Sequence, residues 1–152
     1  MKPHPDFVGR EVPFGFALGP YRLRNLTEAD LEEDYDNVMA SAAVLKGVFG
    51  GTWPEGLTKD YDATDLHWHH REFTARRSFA WVIRDSTERY VGCAYLNPEI
   101  GATGKGEAVY WMIDMPDRIA QLESFGGLYL DWLKSILPAG YDLKVTSNLD
   151  IA

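Results

Sequence analysis

Three runs of β-branched and aromatic residues follow one another through the middle of the chain, and they set most of what it can become. They are Ser78–Arg84, Tyr90–Leu96 and Glu107–Asp114. Val, Ile, Phe, Tyr and Trp at this density suit a pleated, half-buried surface, so each run predicts a strand. The first gap, Asp85–Arg89, is short enough to close a hairpin. The second, Pro98 to Gly106 with Gly101 and Gly104, predicts a looser connection.

The flanking text supplies helices. Tyr21–Leu26 alternates polar and apolar residues as a first strand. Thr27-Glu-Ala-Asp30 then sets a hydroxyl three residues before a carboxylate, which is the pattern of a capping box. Leu31, Tyr35, Val38, Met39 and Ala42 follow at helical spacing. After a glycine-rich loop from Gly47 to Gly56, residues 61–77 predict a second helix, with Leu66, His69 or His70, and Phe73 along one face. Leu122, Phe125, Tyr129, Trp132, Leu133 and Ile136 mark a third, which Pro138 and Gly140 stop. Residues 141–146 read as a last strand. Residues 1–20 carry four prolines and three glycines and predict an irregular arm. The expectation is therefore an N-terminal arm (1–20) and one α/β domain (21–152).

Composition narrows the partners. A net charge of -8 leaves no basic footprint for nucleic acid. No apolar run approaches the ~20 residues of a membrane span, and Met1–Asp6 lacks a signal-peptide core, so a cytoplasmic protein is expected. The single cysteine, Cys93, excludes an intrachain disulfide and reads as a small buried hydrophobe. His67, His69 and His70 cluster on the second helix, but only His67 and His70 share a face and no third ligand is apparent. No metal site is expected.

The order of elements, with Arg77–Arg84, Val91-Gly-Cys-Ala-Tyr-Leu96 and Glu107–Asp114 as its core strands, resembles the GNAT superfamily of acyl-CoA-dependent N-acyltransferases over about residues 21 to 149. That resemblance implies a mixed, mostly antiparallel central sheet flanked by helices, here shortened at its C-terminal end. It implies acetyl-CoA or another acyl-CoA as donor and a small amine as acceptor. In the family a phosphate loop, Arg/Gln-x-x-Gly-x-Gly/Ala, follows the third of these strands, because backbone N–H groups must approach a pyrophosphate closely at a helix N-terminus. Aligned on Gly127 and Leu130, the chain has Leu122 and Phe125 where the cation and first glycine belong, with Gly126 and Gly127 as a remnant.

By the same resemblance, backbone groups of Trp111, Met112 and Ile113, together with Asn148, would hold the pantetheine arm. Glu107 is the candidate base, with Asp114 and Glu99 behind it. Tyr110, or Tyr129, stands in for the family's acid tyrosine, which has no counterpart. Trp53, Tyr61, Trp68, His69 and His70 would line the acceptor pocket. Two readings stay open, an N-acyltransferase and a non-catalytic relative that keeps the cleft for a ligand or partner. A shortened sheet would also expose an edge, which a homodimer or the N-terminal arm would cover.

Overall fold

A computed structural model describes residues 2–151. One sheet runs through it in sequence order: β1 Gly15–Leu18, β2 Tyr21–Asn25, β3 Phe79–Arg84, β4 Tyr90–Pro98, β5 Lys105–Met112 and β6 Asp142–Ser147. Neighbours are antiparallel except the last pair, where β6 lies parallel to β5 from Lys105↔Asp142 to Tyr110↔Ser147. Four helices cover it: α1 Leu31–Ala40, α2 Ala42–Leu45, α3 Lys59–Thr74 and α4 Arg118–Ile136. The mixed, mostly antiparallel sheet flanked by helices is the architecture implied above. Between the last two strands the chain must cross over the sheet, and α4 is that crossover.

β3 and β4 are buried on both faces, which is why their sequences run almost continuously apolar and do not alternate. One face packs on α4 through Trp81, Leu96, Tyr110, Phe125 and Tyr129. The other packs under α1 and α3 through Leu66, Cys93, Tyr95, Val109 and Trp111. Alternation along β5 thus sends Val109 and Trp111 to one side and Tyr110 and Met112 to the other. The capping box forms, with Ala29 N–H donating to Thr27 and Thr27 N–H donating to Asp30 Oδ2.

Two stretches differ from the sequence expectation. The proline-rich arm contains β1, which forms a hairpin with β2 because Phe16 and Leu18 find apolar cover beside Trp132 and Leu128. Its first residues wrap the end of the sheet. His4 N–H donates to the Arg76 carbonyl, the His4 ring meets the Glu99 carbonyl at 2.7 Å, and Phe7 is fully buried. The arm does not cover β6, whose outer edge is open among the described residues.

The second difference concerns Gly126 and Gly127. They open no helix, because α4 already begins at Arg118 and both lie more than two turns inside it. Gly126 has a packing role. A Cβ there would run into the Tyr110 ring, which is wedged beside Phe125 and Tyr129. A Cβ on Gly127 meets nothing within 4 Å. Thermal unfolding followed by circular dichroism separates the two. Gly127→Ala should gain about 0.5–1 kcal/mol from helix propensity. Gly126→Ala should lose about 1–3 kcal/mol through overpacking.

Candidate functional site

The α1/α3 side of the sheet holds a cavity of about 650 Å³, within the ~300–1,000 Å³ of small-molecule sites. Its walls are aromatic: Phe49 and Trp53 from the loop before α3, Trp68 and His69 from α3, Tyr95 from β4 and Trp111 from β5. The rings touch in series. Phe49 stands edge-on to Trp53 at 4.9 Å and to Tyr95 at 5.4 Å, and His69 packs on Tyr95 at 5.5 Å. The Trp111 indole N–H donates to the Tyr95 hydroxyl at 3.1 Å.

Carboxylates line the same space. α3 places Asp62, Leu66, His69 and Phe73 at spacings of four, three and four, so one turn of its buried face carries an acid. Asp62 is 3% exposed and lies against Asp34 of α1, which is 4% exposed. Tyr90 donates its hydroxyl to Asp34 Oδ1 at 2.5 Å. Burial, then the hydrogen bond with Asp34, pushes Asp62 up to about 8. Burial also raises Asp34, against hydrogen bonds from Asp62 and Tyr90 that lower it. The pair therefore shares a proton at neutral pH, as like charges at close range must. Asp65 sits beside the pair, raised by burial. The desolvated His69 ring is pushed down to about 4 and is neutral.

Farther along α3, Glu72 lies 3.2 Å from Arg77 Nε. Arg77, Ser78, Asn97, Glu107 and the arm residues Lys2 and His4 complete that end. Asp62 Oδ2 is buried without a hydrogen-bond donor among the described residues, whereas Glu72 Oε2 is the oxygen that faces Arg77 Nε.

The groove that would take an acyl-CoA lies where β5 and β6 part, beyond Tyr110↔Ser147. Its backbone groups are already engaged. Trp111 pairs with Cys93, and Ile113 N–H donates to the Val91 carbonyl, so both turn toward β4. Met112 turns toward the gap, but Asn148 occupies it. The Asn148 side chain accepts from Met112 N–H at 3.0 Å and donates to the carbonyls of Met112 (2.9 Å) and Val44 (3.0 Å). Arg118, the first residue of α4, is buried and spends its guanidinium on the carbonyls of Asn148 and Ile151. The segment leading into that helix is Asp114-Met-Pro-Asp117, with two carboxylates and no glycine. Carboxylates that flank a helix N-terminus work against its attraction for a pyrophosphate. The residues present do not fit an acyl-CoA in this groove.

The candidates read from sequence are thus divided. Glu107, Trp53, Trp68 and His69 line the cavity, and Trp111 joins them through its indole instead of its backbone. Tyr110 is on the opposite face, against Gly126 and Phe125, because neighbouring strand positions point to opposite sides. Tyr129 is buried there too, donating to the Tyr95 carbonyl. Asp114 is exposed past the strand end, its N–H held by Ser41 Oγ. Tyr61 faces solvent, and His70 turns away to Glu28 Oε2 at 2.7 Å. Sequence reading missed Asp34, Asp62, Asp65, Glu72, Phe49 and Tyr95. The signal available was Asp62, an acid four residues before Leu66 on the face that Leu66 and Phe73 mark as buried.

No family model and no curated protein matches the chain. Solved structures do. A ribosomal-protein-alanine acetyltransferase from Vibrio fischeri is 13% identical, with a TM-score of 0.60 over 82% of this chain and 68% of that one. An acetyltransferase of Salmonella typhimurium that modifies the N-terminal serine of a ribosomal subunit protein is 11% identical, with a TM-score of 0.61 over 83% and 70%. A microcin self-immunity acetyltransferase, in complex with acetyl-CoA and AMP, is 11% identical, with a TM-score of 0.64 over 88% and 73%. The chain spans 64% of the length of a Vibrio cholerae structure of the ribosomal-protein-serine acetyltransferase type. The fold is that of the GNAT acetyltransferases.

Two measurements test the site as described. From about pH 7.5 up to its folded pKa of about 8, Asp62 is protonated when folded and ionised when unfolded, and His69 is neutral in both states. Folding then takes up a proton, so stability falls as pH rises through about 8. The melting temperature should drop across this window, and Asp62→Asn should flatten the drop. Asn148→Ala strips partners from three buried backbone groups and should cost at least about 2 kcal/mol in denaturant unfolding.

Proposed function

We propose that this chain is a small-amine-binding protein built on the GNAT fold. The observation that carries the reading is the contrast between its two clefts. The acceptor-side cavity is roomy, aromatic and acidic, while the donor groove is filled by Asn148 and the Arg118-bound segment after it. Aromatic faces and carboxylates together select cations, through ring quadrupoles and charge-assisted hydrogen bonds. The overall charge of -8 adds long-range attraction for the same ligands.

A second reading, N-acyl transfer from an acyl-CoA to that amine, is favoured by the position of Glu107. Its carboxylate faces the cavity from β5, on the same side as Trp111, where a base would meet an acceptor amine. This reading needs the groove beside Met112 to open, and the acetyltransferases that share the fold are its other support.

Calorimetric titration separates the two. Primary amines should give saturable heats, and acetyl-CoA and CoA should give none up to about 1 mM. Micromolar binding of acetyl-CoA, with acetylated amine as product, would establish the second reading. Silence toward amines and acetyl-CoA alike would overturn both.

A further inference from the structure

We infer that the cavity is built for a monocation with an N–H donor, an ammonium carried on an apolar body, and that Asp62 receives the ammonium. This deepens the amine-binding reading above and rests on it.

The number of charges follows from how the cavity's two ends are balanced. Asp62 and Glu72 are ten residues apart on α3, roughly 15 Å along the helix axis. At the Asp62 end stand Asp34, Asp62 and Asp65, and no lysine or arginine lines that part of the wall. At the far end Glu72 is paired with Arg77 at 3.2 Å, and Lys2 lines the same rim as Glu107. One pole is anionic and the other is balanced. A short dication held at the anionic pole would leave its second charge among the aromatic rings between the poles, with no carboxylate beside it.

The need for an N–H follows from hydrogen bonding. Asp62 lines the cavity, and no donor among the described residues reaches its carboxyl; Oδ2 is wholly buried, so the oxygen that keeps accessible surface is Oδ1. A proton shared with Asp34 serves one oxygen of the Asp62 carboxyl and leaves the other without a donor. A primary or secondary ammonium supplies one. A quaternary ammonium presents only methyl groups there, and leaves that acceptor unpaired.

The body of the ligand is set by what lies between the poles and at the mouth. Trp53, Tyr95 and Trp111 form the wall next to the Asp62 end. Phe49, Trp68 and Ile100 also line the cavity and are 44%, 44% and 83% exposed, an apolar rim that an apolar ligand would cover. Two other titratable groups close to Asp62 do not compete for the ligand. Tyr90 is spent on Asp34, and burial holds the Cys93 thiol protonated.

The test is a calorimetric panel at pH 8 on the full chain. It comprises phenylbutylamine, its trimethylammonium analogue, phenylbutanol and cadaverine. Phenylbutylamine should bind best, with each of the others at least about tenfold weaker. Asp62→Asn should weaken phenylbutylamine by about tenfold or more. Glu28→Gln, which removes a carboxylate that meets His70 outside the cavity, should leave it unchanged, and the melting temperatures of both variants report that they are folded. Equal or tighter binding of cadaverine or the quaternary analogue overturns this inference alone, as does undiminished binding to folded Asp62→Asn. Failure of every amine in the panel overturns the amine-binding reading itself.

Discussion

One side-chain amide ties the two halves of this fold together. Asn148 is fully buried and uses its carboxamide to close a gap in the sheet, joining β5 at Met112 to the end of α2 at Val44. β5 and β6 part after Tyr110, and without Asn148 the Met112 backbone groups there would lack partners. The position of α4 follows from the same contact, since its first residue, Arg118, reaches the Asn148 carbonyl. The β5–β6 gap is a set of satisfied polar groups. The cavity side keeps a carboxyl with no protein donor among the described residues, that of Asp62.

The sheet divides these roles by parity. On β5, Glu107, Val109 and Trp111 belong to the cavity side, and Ala108, Tyr110 and Met112 to the α4 side. The α4 side is a dense aromatic stack of Trp81, Tyr110, Phe125 and Tyr129, close-packed enough that Gly126 is required next to Tyr110. It contributes stability and a rigid backing. The cavity side gives up some packing and holds two carboxyls in apolar surroundings, a cost that has to be met by that backing.

The architecture was legible wherever one local signal decided the outcome. Strand texture located β3, β4 and β5, and the Thr27–Asp30 box marked the start of the first helical segment. β1 was hidden because its pairing with β2 depends on Trp132 and Leu128, residues more than a hundred positions away. The helix start was misplaced for a different reason. Gly126-Gly127 reads as punctuation in one dimension, whereas Gly126 answers a tertiary demand from Tyr110. The candidate site was half legible. Aromatic residues on the second helix and its preceding loop led to Trp53, Trp68 and His69, but spacing alone does not say which of two adjacent histidines faces inward. The Asp34–Asp62 pair was out of reach, because acids at the start of a helix are normally a solvated feature that favours its dipole. Only the packing of α1 on α3 turns two ordinary carboxylates into a buried pair.

The pocket wall also carries a clock. Cys93 is the chain's single thiol, fully buried behind Asp34 and Tyr90, and burial raises its pKa far from the reactive range. A thiol in that state meets a reagent only when the strands around it open. Its labelling rate therefore times the breathing of the surface on which a ligand would rest. Any molecule that prefers the closed cavity slows that clock in proportion to its occupancy, so binding can be followed with no chromophore on the ligand and no turnover.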